Sequence, residues 1–146
     1  MTRGEPSEFL DRLGAVSRCL RAVAAEAYAA LELGSTQAKF LRHIGKNSRI
    51  SQADLARATG TDPALTGRAL ETLVERGWVR RSRSEEDRRQ YVLELGAAGQ
   101  RARKRVEEAR SVVAERIAAA LDDRDIEDFE RITRKILAAF EQEGAG

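Results

Sequence analysis

DPALTGRALETLVERGWVRRSRSEEDRRQYVLEL, residues Asp62 to Leu95, holds a helix, a stop and a hairpin in one run. Asp62 followed by Pro63 is a strong helix start, an N-cap before a proline whose missing N–H costs nothing at the first helical position. Leu65, Ala69, Leu70, Leu73 and Val74 recur at helical spacing and predict the buried stripe, which ends at Gly77. Two segments rich in Val, Trp, Tyr and Leu follow, near 78–83 and 90–95, and read as strands joined by the charged turn SEEDRR. A helix beside a hairpin with a cationic tip suits a nucleic-acid duplex. The helix fills a major groove while the tip reaches a neighbouring minor groove.

Upstream, Ser51-Gln-Ala-Asp54 resembles a capping box with Asp in place of Glu, and predicts a short helix to Thr59, stopped by Gly60. A helix over about 36–45 precedes it, capped by Ser35 or Thr36. Before that, Leu10, Leu13, Val16, Leu20, Val23 and Ala27 mark a long helix over 8–32, closed by Gly34. Downstream, Gly96 precedes a helix of about 25 residues with Val106, Ala109, Val113, Ile117 and Leu121 on its apolar side. Asp122 or Asp123 caps a last helix carrying Ile126, Phe129, Ile132, Ile136 and Phe140. The reading is a mainly α chain. A winged helix-turn-helix with a two-stranded wing hairpin spans 35–96, and long N- and C-terminal helices over 1–34 and 97–146 form a dimerisation region. Those terminal helices carry wide apolar stripes outside the compact unit. A second copy of the chain is the simplest way to cover them, so a homodimer is expected.

Bulk composition narrows the class. Hydrophobic residues make up 42% and charged residues 34% of 146, which fits a folded helical protein and not a disordered one. No apolar run approaches the roughly 20 residues that span a bilayer, and the start MTRGEPSEFLDRLG lacks the apolar core of a secretory signal. A single cysteine makes no internal disulfide, so a cytoplasmic location is expected. With Cys19 and His43 the sole members of their types, neither a structural zinc site nor any other metal or cofactor is expected. The net charge of +2 is unevenly spread: Lys46–Arg105 carries 14 basic against 8 acidic residues, and the remainder is net acidic. A basic middle between acidic ends fits a polyanionic partner.

Two short helices around a glycine-containing turn read as helix-turn-helix, and the hairpin behind them makes the unit a winged helix. The chain resembles the multiple-antibiotic-resistance regulator (MarR) family in the order of its elements over most of its length. The resemblance is tightest in Thr66-Gly-Arg68, Leu73-Val-Glu-Arg-Gly77-Trp-Val79-Arg-Arg81, Asp87-Arg-Arg89 and Gly99. It departs from that pattern at Gly96, where the family usually has a capping Thr or Ser. It departs again at Gly67, a glycine inside a helix, which costs roughly 1 kcal/mol relative to alanine.

The resemblance implies a double-stranded DNA binder and no enzyme. Thr66 and Arg68 lie near the helix start that meets base edges, Arg68 suited to a guanine and Thr66 to a thymine methyl or a phosphate. Gly67 gives room for close backbone approach. Ser51 and Gln52 open the preceding helix, where they can donate to phosphates. Arg89 is the candidate for a narrow minor groove, aimed by a pairing with Asp87, a role the family gives to an Asp-x-Arg pair at the wing. Arg81, Arg83 and Arg88 add phosphate contacts.

The family's usual logic further implies a repressor on a pseudo-palindromic operator, released by a small aromatic or phenolic effector or by cysteine oxidation. Effector-lining candidates are Val16, Leu20, Phe40, His43, Val106 and Arg110, with Arg110 placed to hold a carboxylate. Cys19, next to Leu20, is expected to face the apolar side as a small hydrophobe, and a redox role for it is the alternative switch. A sequence-tolerant architectural DNA binder and a protein–protein module are the competing classes.

Overall fold

The computed structural model of the chain describes residues 4–141. Among the described residues nine elements follow in order: α1 (Pro6–Ala29), α2 (Ser35–Lys46), β1 (Ile50–Ser51), α3 (Gln52–Thr59), α4 (Pro63–Glu75), β2 (Val79–Arg83), β3 (Tyr91–Leu95), α5 (Ala97–Ala118) and α6 (Asp123–Glu141). The chain divides into two compact units, Met1–Ser111 and Val112–Gly146. The outer ends of the expected dimerisation spans, 1–3 and 142–146, lie outside the described residues.

Local chemistry sets the boundaries around the helix-turn-helix. Ser51 Oγ accepts the Asp54 N–H at 3.0 Å, and Asp62 Oδ1 accepts the N–H groups of Ala64 at 2.7 Å and Leu65 at 3.0 Å. These side chains satisfy donors that the first helical turn leaves without partners. Gly60 and Gly77 sit at φ 61° and 74°, the left-handed conformation that lets the chain leave α3 and α4. At the end of α1 the structure departs from expectation. Glu32 takes the left-handed conformation (φ 59°), while Gly34 caps α2, its N–H donating to Gln37 Oε1 at 3.1 Å. Gly34 therefore opens α2 instead of closing α1, and Ser35 is already helical.

The wing belongs to a three-stranded sheet of order β1-β3-β2. Val79 pairs with Leu95 and Arg83 with Tyr91, while Ile50 and Ser51 pair with Leu93 and Val92. The expected two-stranded wing hairpin is β2 and β3, and β1 extends its sheet by a third strand. Two residues are too few to display an alternating pattern, so only the free edge of β3 reveals them.

Behind this sheet Phe40, Leu41 and Ile44 of α2 meet Leu55, Leu70, Leu73, Val79, Leu93 and Val106 in the core. Phe40 and Val106 are fully buried, which removes both from the effector-lining set: their surfaces are spent on core packing. Leu65, expected in the stripe, is exposed, and the inward places on α4 go to Thr66, Leu70 and Leu73. The start of α5 is locked by close approach. A Cβ on Gly99 would lie 2.0 Å from the Trp78 carbonyl oxygen, so glycine alone fits there. Further along α5, Glu107 accepts from Arg42 Nε at 3.0 Å, and Arg103 Nη1 donates to the Gly45 carbonyl at 3.1 Å.

In α1, Phe9, Leu10, Leu13, Val16 and Leu20 are exposed. In the second unit, Asp122 caps α6 reciprocally with Asp125 at 2.8 and 3.0 Å, and Ile126, Phe129, Ile132, Leu137 and Phe140 are exposed. Among the described residues no helix is long and apolar enough to cross a membrane.

Candidate nucleic-acid interface

The outer face of α4 follows from its 100° step per residue. Thr66, Leu70 and Leu73 point inward, so Ala64, Arg68 and Glu71 point out, and all three are exposed. Thr66 contradicts its expected role at a base edge. It is fully buried, and its hydroxyl donates to the Asp62 carbonyl at 2.9 Å. Its hydroxyl and methyl are consumed in holding the first turn of α4. Arg68 stands on the outer face as expected, among the described residues without a hydrogen bond or ion pair to the chain.

Gln52 and Gly67 form one feature. The Gln52 amide lies across Gly67, where an added Cβ would meet Nε2 at 3.8 Å, an ordinary contact. The glycine is therefore not demanded by packing within the chain. Gln52 Oε1 is buried with no partner, while the side chain as a whole is half-buried and lines the cleft between α3, α4 and the wing. The Ser51 oxygen is already engaged in capping α3.

The wing tip is built by a short polar turn. Ser84 Oγ accepts the Asp87 N–H at 3.2 Å, the Asp87 carbonyl accepts the Gln90 N–H at 2.9 Å, and the Gln90 carbonyl accepts the Ser84 N–H at 2.9 Å. Within it Asp87 holds Arg89 by two side-chain hydrogen bonds, Nε to Oδ1 at 3.1 Å and Nη2 to Oδ2 at 3.3 Å, and also accepts the Arg89 N–H at 3.1 Å. These bonds lower the Asp87 pKa from its ordinary value, the Arg89 side chain first and its backbone second. The Arg89 side chain is 91% exposed while Asp87 is 36% exposed, so the cation projects and the carboxylate sits behind it.

Arg81 and Arg83 serve the hairpin itself. Both guanidinium groups lie over the Tyr91 ring, at 4.8 and 4.4 Å from its centre, and Arg83 Nη1 donates to the Arg88 carbonyl at 2.9 Å. Their expected phosphate contacts must compete with these interactions, whereas the Arg88 side chain is exposed. Sequence reasoning missed Ser84 and Tyr91. Tyr91 faces two arginines across the β2–β3 register, a signal visible only once that register is known. A cleft of about 600 Å³ opens between α3, the start of α4 and the wing, with Arg57, Pro63, Arg89 and Tyr91 among its walls.

The remaining candidates scatter. Val16 and Leu20 are exposed on α1, Arg110 is exposed on α5, and His43 is half-buried on α2. The His43 pKa is lowered, first by burial and then by Arg42, Lys46 and Lys39. Cys19, expected to face the apolar side of α1, is exposed together with Val16 and Leu20 of that side. Among the described residues no group of three or more His, Cys, Asp or Glu is placed to hold a metal ion.

Residues 33–91 match the family model described as the MarR family. The chain is 36% identical over 62 residues to the HTH-type transcriptional regulator BilQ of Clostridium symbiosum, covering 42% of this chain and 43% of that protein. It is 29% identical over 97 residues to the transcriptional repressor MprA of Escherichia coli, covering 66% of this chain and 55% of that protein. The chain thus spans about half the length of the curated relatives it matches. The crystal structure of a MarR transcriptional regulator from Methanosarcina mazei superposes with a TM-score of 0.77 at 27% identity, over 93% of this chain and 96% of that one.

Proposed function

We propose that this chain, whose residues 33–91 match the MarR family model, is a winged helix-turn-helix regulator of that family, a sequence-specific DNA-binding repressor acting as a homodimer. The observation that carries the reading is the wing tip, an exposed guanidinium aimed outward by the two hydrogen bonds it donates to a carboxylate behind it. A carboxylate facing DNA repels phosphate, so its presence there needs a reason. Holding Arg89 in one direction supplies it, since a pre-oriented fork loses less freedom on entering a minor groove.

In this mechanism α4 enters a major groove with Arg68 outward, and Arg89 enters the adjacent minor groove. Arg88 and the first turn of α3, with Ser51 and Gln52, approach phosphates. Residues 35–96 do the reading. The helices over 1–34 and 97–146 join two copies, and the exposed apolar faces of α1 and α6 are the surfaces they bring to that interface. A dimer reads two half-sites about one helical turn apart, giving a pseudo-palindromic operator. A small aromatic or phenolic effector that favours another half-site separation releases the DNA.

The test is a gel-shift competition on duplexes selected from a random library. The expected result is a complex that survives excess random duplex and weakens steeply with salt. Binding that random duplex displaces equally would make the chain an architectural binder, and no binding at low salt would make it a protein–protein module. Sedimentation of the free protein checks the dimer, and benzoate and phenol titrated into the complex check the release.

A further inference from the structure

Leu65 differs from every other exposed large apolar side chain of the described residues. The others all lie on residues 9–20 or 112–140, where whole apolar faces are uncovered together. Leu65 is alone, 42% exposed, on a helix whose neighbouring Thr66, Leu70 and Leu73 are fully buried. Fraying does not explain the exposure. Asp62 Oδ1 accepts both the Ala64 and the Leu65 N–H, which fixes this turn of α4. Arg68 stands three residues later, on the adjoining row of the same surface, and Ala64 is too small to cover the leucine.

A leucine pinned in water beside an unpaired arginine lowers its free energy only when something apolar covers it. Resting on the DNA reading above, the surface that carries Leu65 enters a major groove. There the one apolar group that a base pair presents is the thymine 5-methyl. We propose that Leu65 is a specificity-determining residue that packs on a thymine methyl beside the base pair engaged by Arg68. Thr66 has no free methyl for this task, being buried with its hydroxyl bonded to Asp62. Leu65 thus makes the reading surface of α4 part apolar and part cationic, and predicts a thymine next to a guanine in each half-site.

Replacing single thymines of the selected duplex with deoxyuridine removes the methyl and leaves every hydrogen-bonding group in place. With the full-length protein, one position per half-site is expected to lose about four-fold in affinity, the size of one buried methyl. Leu65→Ala is expected to bind the thymine and deoxyuridine duplexes equally, with unchanged thermal unfolding because the side chain is exposed. Leu65→Gln, which keeps the length and adds polarity, is expected to lose the same discrimination. Wild-type protein indifferent to deoxyuridine at every position overturns the inference, as does Leu65→Ala remaining as sensitive as wild type. In both of those outcomes the protein still selects a sequence, so the DNA reading stands. A protein that selects no duplex at all removes the DNA reading and the inference together.

Discussion

Between residues 33 and 106 nearly every large apolar side chain is buried or half-buried, whereas along α1 and α6 most are exposed. The first region closes its own core. Phe40, Leu73 and Val106 come from three helices and meet with no exposed surface left. The second region consists of helices with regular apolar periodicity but, over most of their length, no covering layer. The same hydrophobic spacing therefore has two meanings. In the winged unit it marks where the chain folds on itself, and in the terminal helices it marks surface left uncovered, the surface proposed above to meet a second copy.

The comparison breaks most sharply at the core. Phe40→Ala is expected to destabilise the chain by about 3–5 kcal/mol, because α2, α4 and the sheet cannot collapse into the vacancy. Urea unfolding measures this, and a loss under 1 kcal/mol would mean that the buried region is not the main source of stability. Phe129→Glu is expected to act on association instead. It should cost on the order of 3 kcal/mol of dimer affinity, since each dimer carries the change twice. Sedimentation over a dilution series reads it, and a dimer that persists unchanged would place the interface elsewhere.

Arg89→Ala is expected to weaken operator binding by about 1–3 kcal/mol while leaving both regions folded. Asp87→Asn should cost less, because the guanidinium remains and only its orientation is relaxed. Equal affinity of Arg89→Ala and wild type at fixed salt would remove the wing from the interface.

The smallest effect concerns pH. His43 ordinarily titrates near 6.5, and its folded value is lower. The unfolded chain therefore binds the proton first as pH falls, so the stability linked to His43 is present above 6.5 and declines as pH drops through the lower folded value. Thermal unfolding followed from about pH 7 to pH 5 should show a shallower decline in His43→Gln. An unchanged slope would assign the decline to other groups.

The caps and stops around α3 and α4 were legible because each is a local interaction. Ser51 reaches Asp54, Asp62 reaches Ala64 and Leu65, and Gly60 and Gly77 supply left-handed turns. The Asp87–Arg89 pair was legible for the same reason, being two residues apart. Misread positions depended on distant partners. Helical spacing placed Leu65 in the buried stripe and Thr66 on the reading face, and the packing of α4 against the rest of the core reversed the two. Gly34 looked like the end of α1 because glycine commonly closes helices, yet Glu32 accepted the left-handed turn and left Gly34 to cap α2.

By itself, then, the sequence determined the order of the helices and of the two hairpin strands, the start and stop residues of α3 and α4, and the charged geometry of the wing tip, since all of these are set within a few residues. Tertiary structure decided which of two adjacent residues on α4 faces outward, and that Phe40 and Val106 belong to the core. It also added a third strand to the wing sheet, and joined Arg42 to Glu107 and Arg103 to Gly45. Those outcomes depend on contacts between segments tens of residues apart, where burial and register are properties of the packed chain and not of any local stretch.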